Sequence, residues 1–443
     1  MTKEKHKIDI GAVKRVHFIG IGGIGISALA RLVLHKGRKV SGTNDSESPE
    51  TLSALREQGV LISLDTSPEA LPDADCYVYS DAWPNNFPRV VEAARKTGKP
   101  TLSYFEALGS VANCYYLIAV AGAHGKTTTT AMAIDVLEAA GLDPTAVVGS
   151  LRAKTKSNFR AGKNKYFVVE VDEWQRHFLA FLPDILVITN IDPDHLDYYH
   201  DLADIQDAFS ELARRVPEDG FIICNPTHEN VAPVLAGARA TIIDYTKLVD
   251  PLLSLKAPGV HNFMNAGAVL ALAKALRIDP EVAKKALEDF AGTWRRSEYI
   301  GETGKGALIC DDYGHHPTEI ETTLRGFRER YPKRRMIVAF QPHLHSRTKA
   351  FFDRFVETLA LADEVVLAPI FEARREVDHS VSSAKLAEAI QGKLREKLEK
   401  TRAFPSYEAI AEYLKTNTGS NDLIITMGAG AINTVAEMIK DGK

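Results

Sequence analysis

An apolar run over 115–121 stops abruptly at Gly122-Ala123-His124-Gly125-Lys126 and continues into four threonines, Thr127 to Thr130. A strand that breaks into glycine and then opens a helix makes a phosphate cradle. Backbone N–H groups at the helix start face the anion, and the helix dipole favours negative charge there. In such a cradle Lys126 reaches the terminal phosphates of ATP and the Thr127 hydroxyl holds Mg2+, while Gly122, His124, Gly125 and Thr128 shape the loop. The common nucleotide loop, G-x-x-x-x-G-K-[ST], has a longer run between its glycines. Here only Ala123 and His124 stand between Gly122 and Gly125, which sets the chain apart from general ATPases and GTPases.

Two acidic clusters follow at the ends of apolar runs: Glu170-Val-Asp172-Glu173, and Asp192-Pro-Asp194-His195-Leu-Asp197. Parallel sheets bind ligands beyond the carboxyl ends of their strands, so these groups are expected near the phosphates. Mg2+ takes hard oxygen ligands, which suits Glu170. His195 suits Mn2+ better, or acts on Mg2+ through water. Further on, Asn262 and Asn265 open a helix, where asparagine either caps the helix or reads an adenine edge.

Nearer the start, Gly20-Ile-Gly22-Gly23-Ile-Gly25 follows a strand, opens a helix and matches G-x-G-x-x-G, with Asp45 at the end of the next strand. This turn cradles a pyrophosphate. A nicotinamide dinucleotide and a nucleotide-sugar diphosphate each supply one. Late in the chain, Asp311-Asp312-Tyr313-Gly314-His315-His316 and Gln341-Pro-His343-Leu344-His345-Ser-Arg347 concentrate His, Asp and Arg at two strand ends. Adjacent histidines seldom share one metal ion, and these carboxylates lack a clear ligand spacing. Arg347 with Tyr313 could instead clamp a small carboxylate, which the guanidinium fork matches.

The elements that must position these groups alternate short β-branched strands with amphipathic helices, the pattern of an α/β protein. A length of 443 residues calls for about three domains, and three blocks are visible. The first has strands at 15–20, 38–45, 75–82 and 99–104 and a helix over 24–35. The second has strands at 115–121, 166–173, 184–195, 220–225 and 240–245, a helix from the phosphate loop to Ala140, and helices near 257–276 and 280–290. Its basic segment 151–165 reads as a loop. The third follows a hinge-like stretch at 290–306, with strands at 307–313, 335–342, 363–370 and 422–430 and a solvated helix over 384–401.

Lys plus Arg is 54 against 58 for Asp plus Glu, a net charge of −4 that gives no footing for nucleic acid. The four cysteines stand far apart, so neither a disulfide framework nor a cysteine zinc site is expected. No signal-peptide core is visible at the start, and no apolar run reaches the length of a membrane span. A cytoplasmic protein is expected.

The order and spacing of VHFIGIGGIG, AGAHGKTTTT, EVDE, TNIDPDHLDYY, PGVHNFMNA, DDYGHHPTEI and FQPHLHSRT resemble those of the Mur ligases over nearly the whole chain. The G-x-H-G-K-T-T-T loop is specific to that family, and DDYGHHPTE with QPHxxSRT resembles its alanine-adding member. The resemblance implies three domains: a Rossmann-like N-terminal domain for a UDP-sugar (1–113), a central P-loop ATPase domain with a mostly parallel sheet (114–293), and a Rossmann-like C-terminal domain closing over ATP and the amino acid (294–443). It implies ATP-dependent amide formation between L-alanine and UDP-N-acetylmuramate in peptidoglycan synthesis, by a monomer or homodimer. Gly20, Gly22, Gly23, Gly25 and Asp45 would hold the sugar nucleotide. Lys126 and Thr127 would hold ATP and metal, Glu170 and His195 the metal, and Asn262 and Asn265 the adenine. Arg296 and Asp312 would approach ATP. Tyr313, His315 and Arg347 would face the amino acid, with His195 or His315 as the base.

Four departures bear on the substrate side. Trp174-Gln175 replaces the family's Ser-Asp after Glu173, Leu344 stands where relatives often have arginine, and Ala431 replaces an aspartate. Residues 226–257 are shorter than the family segment and lack its T-Y-G strand. A peptide-attaching recycling ligase, an NAD(P)-dependent oxidoreductase, and a nucleotide-gated regulatory protein without ligase activity are the competing readings.

Overall fold

The first sheet of this computed structural model, which describes residues 10, 12–195, 198–256, 259–372, 376, 378–393 and 400–440, is built from β1 (Arg15–Ile19), β2 (Lys39–Thr43), β3 (Leu61–Ser63), β4 (Cys76–Tyr79) and β5 (Thr101–Ser103). All are parallel, in the order β3-β2-β1-β4-β5. The order reverses at β1, so a crevice opens beyond the carboxyl ends of β1 and β4. The glycine turn occupies that edge, and the helix Ile24–His35 follows it. Ser103 and Glu106 form a capping box that starts the helix Tyr104–Ala112 directly after β5.

The second sheet comprises β6 (Tyr116–Ala121), β7 (Thr145–Arg152), β8 (Ser157–Arg160), β9 (Tyr166–Glu170), β10 (Ile185–Ile188), β11 (Phe221–Cys224) and β12 (Thr241–Asp244). Their order is β12-β11-β10-β6-β9-β7-β8, parallel apart from β8. Leu117–Ala121, Phe167–Val169 and Ile185–Ile188 are buried throughout, as continuous apolar runs are when a sheet is covered on both faces. The three adjacent strands β10, β6 and β9 thus deliver Asn190, the phosphate loop and Glu170 to one sheet edge.

The third sheet holds β13 (Glu298–Glu302), β14 (Leu308–Asp312), β15 (Arg335–Phe340), β16 (Glu364–Leu367), β17 (Lys400–Ala403) and β18 (Asp422–Met427). It runs β13-β14-β18-β15-β16-β17, with only β13 antiparallel. The chain forms two compact units. One, Met1–Ser254 with Phe263–Ala291, contains the first two sheets; the other, Leu255–Asn262 with Gly292–Lys443, contains the third. Among the described residues, no helix is long and apolar enough to cross a membrane.

Three expectations from sequence need correction. The basic segment 151–165 is mostly a hairpin: β7 extends to Arg152 and pairs antiparallel with β8. Its arginines point inward to acids rather than to water. Arg152 is buried and binds Asp135 and Glu138, and Arg160 binds Glu138 and Asp143. The hinge-like stretch at 290–306 contains edge strand β13. The helix expected over 384–401 spans Ser383–Lys393, and Lys400–Thr401 already belong to β17; residues 394–399 lie outside the described residues.

The inward arginine gives a stability prediction. Arg152→Met leaves buried Asp135 with an uncompensated charge while Glu138 keeps Arg160, and breaking such a buried pair costs about 3–5 kcal/mol. Urea denaturation should show a lower midpoint of roughly that worth, at an unchanged slope.

Candidate functional site

Gly122 and Gly125 have φ of 134° and 79°, a backbone region that glycine adopts without strain. They turn the chain from β6 into the helix Lys126–Ala139. Asn190 clamps the loop between them: its Oδ1 accepts from the His124 N–H at 2.9 Å, and its Nδ2 donates to the His124 carbonyl at 2.9 Å. The Thr189 hydroxyl donates to the same carbonyl at 2.6 Å. His124 Nε2 is 3.5 Å from the Asp192 carboxylate. Thr128 is buried in the first helical turn. The sequence assigns Asn190, within TNIDPDH, no role, because its clamp depends on β10 lying beside β6.

Lys126 is held from two sides. Its Nζ donates to the Gly122 carbonyl at 2.6 Å and to the Glu173 carboxylate at 2.9 and 3.1 Å. Burial works against the ammonium, but Glu173, Asp172 and Glu170 outweigh it and raise its pKa. Lys126 therefore stays charged. Burial also pushes Glu173 up, against the pull of Lys126. The Thr127 hydroxyl donates to Glu170 Oε1 at 3.0 Å, and the other Glu170 oxygen accepts from the Gly149 N–H at 3.0 Å. A hydroxyl and a carboxylate converging at a phosphate loop form a hard-oxygen donor set that fits Mg2+.

His195 has φ of 55° and its backbone N–H donates to Asp194 at 2.7 Å. Its ring groups with Asp172 and Glu173 rather than with Thr127 and Glu170; Nε2 lies 3.9 Å from Glu173. Trp174, one of the departures, places its ring 6.5 Å from that of His195. Asp197 lies outside the described residues. Asn265 reaches the loop: a Cβ on Gly125 would stand 2.6 Å from Asn265 Oδ1. Asn262 is buried and falls in the second unit.

At the first sheet, Gly20 has φ of 81° and its N–H donates to the Thr43 carbonyl at 2.7 Å. A Cβ there would meet the Trp83 indole at 2.2 Å; at Gly22 it would meet the Asn44 amide at 2.4 Å, and at Gly25 the Tyr104 ring at 2.7 Å. Gly23 is less confined, with the Ile26 side chain 3.2 Å away. The residue that faces the turn is Asn44, whose Oδ1 accepts from the Gly22 N–H at 3.0 Å, and not Asp45, which is exposed. The strand ends at Thr43, so the first residue past it turns inward.

Asp81 lies just beyond β4, in a stretch where the sequence carries no motif. Burial pushes its pKa up to about 7, with Asp172 and Glu106 adding to the rise. His177 Nε2 is 3.7 Å away, and burial lowers the pKa of that ring. Native Asp81 thus binds its proton up to about pH 7, whereas an unfolded aspartate releases it near about pH 3.9. Stability from this group is present below the unfolded value and is lost as pH rises through the native one. Asp81→Asn should match the parent Tm near pH 4 and exceed it at pH 8. Thermal unfolding at the two pH values checks this.

In the second unit, the end of β14 gathers the remaining groups. Buried Asp312 accepts from the Ser297 N–H at 2.7 Å and the Gly314 N–H at 2.8 Å. Burial pushes its pKa up to about 6, against the pull of Arg296. Arg296 lies over the Tyr313 ring at 5.2 Å, with Glu319 3.9 Å from its Nη1. Its neighbour Arg295 is buried and anchors Asp311 at 2.8 Å. His315 sits edge-on to Tyr313 at 5.6 Å and to His343 at 5.3 Å, and its N–H donates to Glu319 at 3.1 Å. Arg347 Nη1 is within 3.5 Å of His343 Nδ1. Tyr313, His315 and Arg347 are therefore one cluster. His343, in the turn beyond β15, and Glu319, on the helix Pro317–Arg330, join it. Leu344 is buried with φ of 61° at the start of the helix that carries Arg347.

Three family models match in succession: the Mur ligase family, catalytic domain, over residues 15–116; the Mur ligase middle domain over 120–248; and the Mur ligase, glutamate ligase domain over 295–430. A UDP-N-acetylmuramate–L-alanine ligase from Caldanaerobacter subterraneus is 36% identical, covering 97% of this chain and 98% of the relative. Among solved structures, the UDP-N-acetylmuramate–alanine ligase of Thermotoga maritima is 26% identical with a TM-score of 0.79, covering 96% of this chain and 98% of that one. A murein peptide ligase from Psychrobacter arcticus is 25% identical with a TM-score of 0.71, at the same coverage. With the short-loop phosphate cradle in place and its relatives aligned over nearly their whole length, the chain belongs to the Mur ligase family.

Proposed function

We propose that the chain is an ATP-dependent ligase that joins L-alanine to UDP-N-acetylmuramate. The observation that carries this reading is the charged Lys126 buried among Glu173 and the Gly122 carbonyl, beside a Thr127–Glu170 pair that suits a divalent cation. The curated relative that shares nearly the full length bears that activity in its name. On this reading residues 1–113 hold the sugar nucleotide, 114–293 hold ATP, and 294–443 serve the amino acid.

A carboxylate is a poor electrophile, so the muramyl carboxylate first takes the γ-phosphoryl group of ATP and becomes an acyl phosphate. The alanine amine then attacks, the tetrahedral intermediate expels phosphate, and an amide remains. Lys126 balances the negative charge that grows on the transferring phosphoryl group. Bound Mg2+, held by Thr127 and Glu170, would add Lewis-acid polarisation of the phosphate oxygens. Arg347 orients the alanine carboxylate, and Tyr313 lines the same place. His315 accepts the ammonium proton, because it shares the β14–β15 edge with Arg347. Arg296 and Asp312 serve ATP from that unit. Asn262 and Asn265 serve the adenine. Gly20, Gly22, Gly23 and Gly25 let the UDP diphosphate approach the backbone, and Asn44 takes the place expected of Asp45.

Purified protein with ATP, Mg2+, UDP-N-acetylmuramate and L-alanine should release phosphate and form the amide in equal amounts. Amide formation with a peptide but not with alanine would make it a recycling ligase. Nucleotide binding without amide from any amine would leave a regulatory protein, and substrate-dependent nicotinamide reduction would revive the oxidoreductase.

A further inference from the structure

In the second unit, three side chains outside the proposed reaction site point their acceptor atoms at one another. His345 is the first residue of the helix His345–Ala350, directly after the β15 edge. Glu372 and His379 come from the segment after β16, where Phe371 bridges back to His343. His345 Nδ1 lies 3.1 Å from the Val381 carbonyl, and His379 Nε2 lies 3.0 Å from the Glu376 carbonyl. A carbonyl only accepts, so each of these nitrogens carries a hydrogen. In the neutral imidazole the other nitrogen is then a bare lone pair.

Those lone pairs, His345 Nε2 and His379 Nδ1, are 3.1 Å apart. Glu372 Oε1 stands 3.1 Å from the first and 3.4 Å from the second. Three acceptors that close repel unless a cation or an added proton lies among them. Zinc bonds of about 2.0–2.1 Å at tetrahedral angles separate donor atoms by about 3.3 Å, which the three distances bracket.

We infer that His345 Nε2, His379 Nδ1 and the Glu372 carboxylate form a site for a divalent transition-metal ion, zinc above all, with water as the fourth ligand. Two imidazoles and one carboxylate form a donor set of borderline softness, which suits zinc better than Mg2+. Metal-bound histidines characteristically donate their second ring N–H to a carbonyl or carboxylate, as both do here. The surroundings hold the ligands in place. The Glu376 carboxylate accepts from the His345 and Ser346 backbones and from the Ser346 hydroxyl. Lys349 pairs with Asp378 at 2.7 Å, and Lys385 donates to the Ser380 carbonyl at 2.7 Å. The ion would tie Glu372 and His379 to the first turn of the helix that carries Arg347.

The test uses the full-length protein dialysed against Zn2+ or Co2+ with excess Mg2+ and then freed of unbound metal. Elemental analysis should find one zinc ion per chain, and the cobalt protein should show the visible absorption of a tetrahedral site. Zinc should raise the Tm. His379 and Glu372 are 51% and 42% exposed, so His379→Ala and Glu372→Ala leave the core intact. Both should lose the visible bands and the zinc-dependent rise in Tm, with zinc affinity falling at least about 100-fold. A parent protein that takes up no zinc overturns the site and leaves an added proton holding the cluster. Variants that keep stoichiometric zinc and the cobalt bands also overturn it, and place the ion at Asp172, Glu173 and His195 instead.

Discussion

Lys126→Ala is expected to lower kcat by about a thousandfold, because one preorganised donor to developing charge is worth about 10²–10³ in rate and this one carries a full charge. UDP-N-acetylmuramate affinity should be unchanged, since the glycine turn belongs to the first sheet and Lys126 to the second. Steady-state kinetics and calorimetric titration of the sugar nucleotide check the two halves separately. One side effect must be removed first. Lys126 is the partner of buried Glu173, so the single variant leaves an uncompensated carboxylate. Lys126→Ala combined with Glu173→Gln should recover much of the lost stability and none of the lost rate. If activity returns with stability, Lys126 has only a structural role. A collapse of sugar-nucleotide binding would instead show the domain assignment to be wrong.

Arg347→Ala is expected to raise the KM for L-alanine by about 10–100-fold, the worth of hydrogen bonds to a charged partner. The KM for ATP should not move. Arg347 lies within 3.5 Å of His343 and so belongs to the cluster with His315 and Tyr313 at the β14–β15 edge. Arg347→Lys should recover only part of the loss, because an ammonium cannot reproduce the bidentate fork. An equal rise in both KM values would contradict a role confined to the amino acid.

The parts of this molecule that sequence made legible are those written in consecutive residues. The phosphate loop shows itself because glycine ends an apolar strand and threonine opens a helix. The helix Ile24–His35 shows itself because glycine turns flank it on both sides. Pairings across strands are invisible in the same string. Nothing in the spacing says that Asn190 clamps His124 or that Glu173 holds Lys126; both depend on which strands lie beside β6. Arg152 misled in the same way. A basic stretch reads as a loop unless its acids, here Asp135 and Glu138 on the preceding helix, are known to face it. Asn44 and Asp45 differ by one residue, and only the end of β2 decides which turns inward. Of the triad, His345 opens a helix after β15 while Glu372 and His379 follow β16, so no ligand spacing could announce it.

The tether between Lys126 and Glu173 also changes what nucleotide entry means. The carboxylate is a built-in placeholder that keeps the ammonium neutralised between turnovers. On the proposed reading, an arriving phosphate must displace a resident carboxylate from the ammonium, so binding is an exchange of partners at Lys126 and not the capture of a free cation. On that reading the same carboxylate stands ready to reclaim the ammonium as product leaves, a return contact that gives up some affinity for the nucleotide.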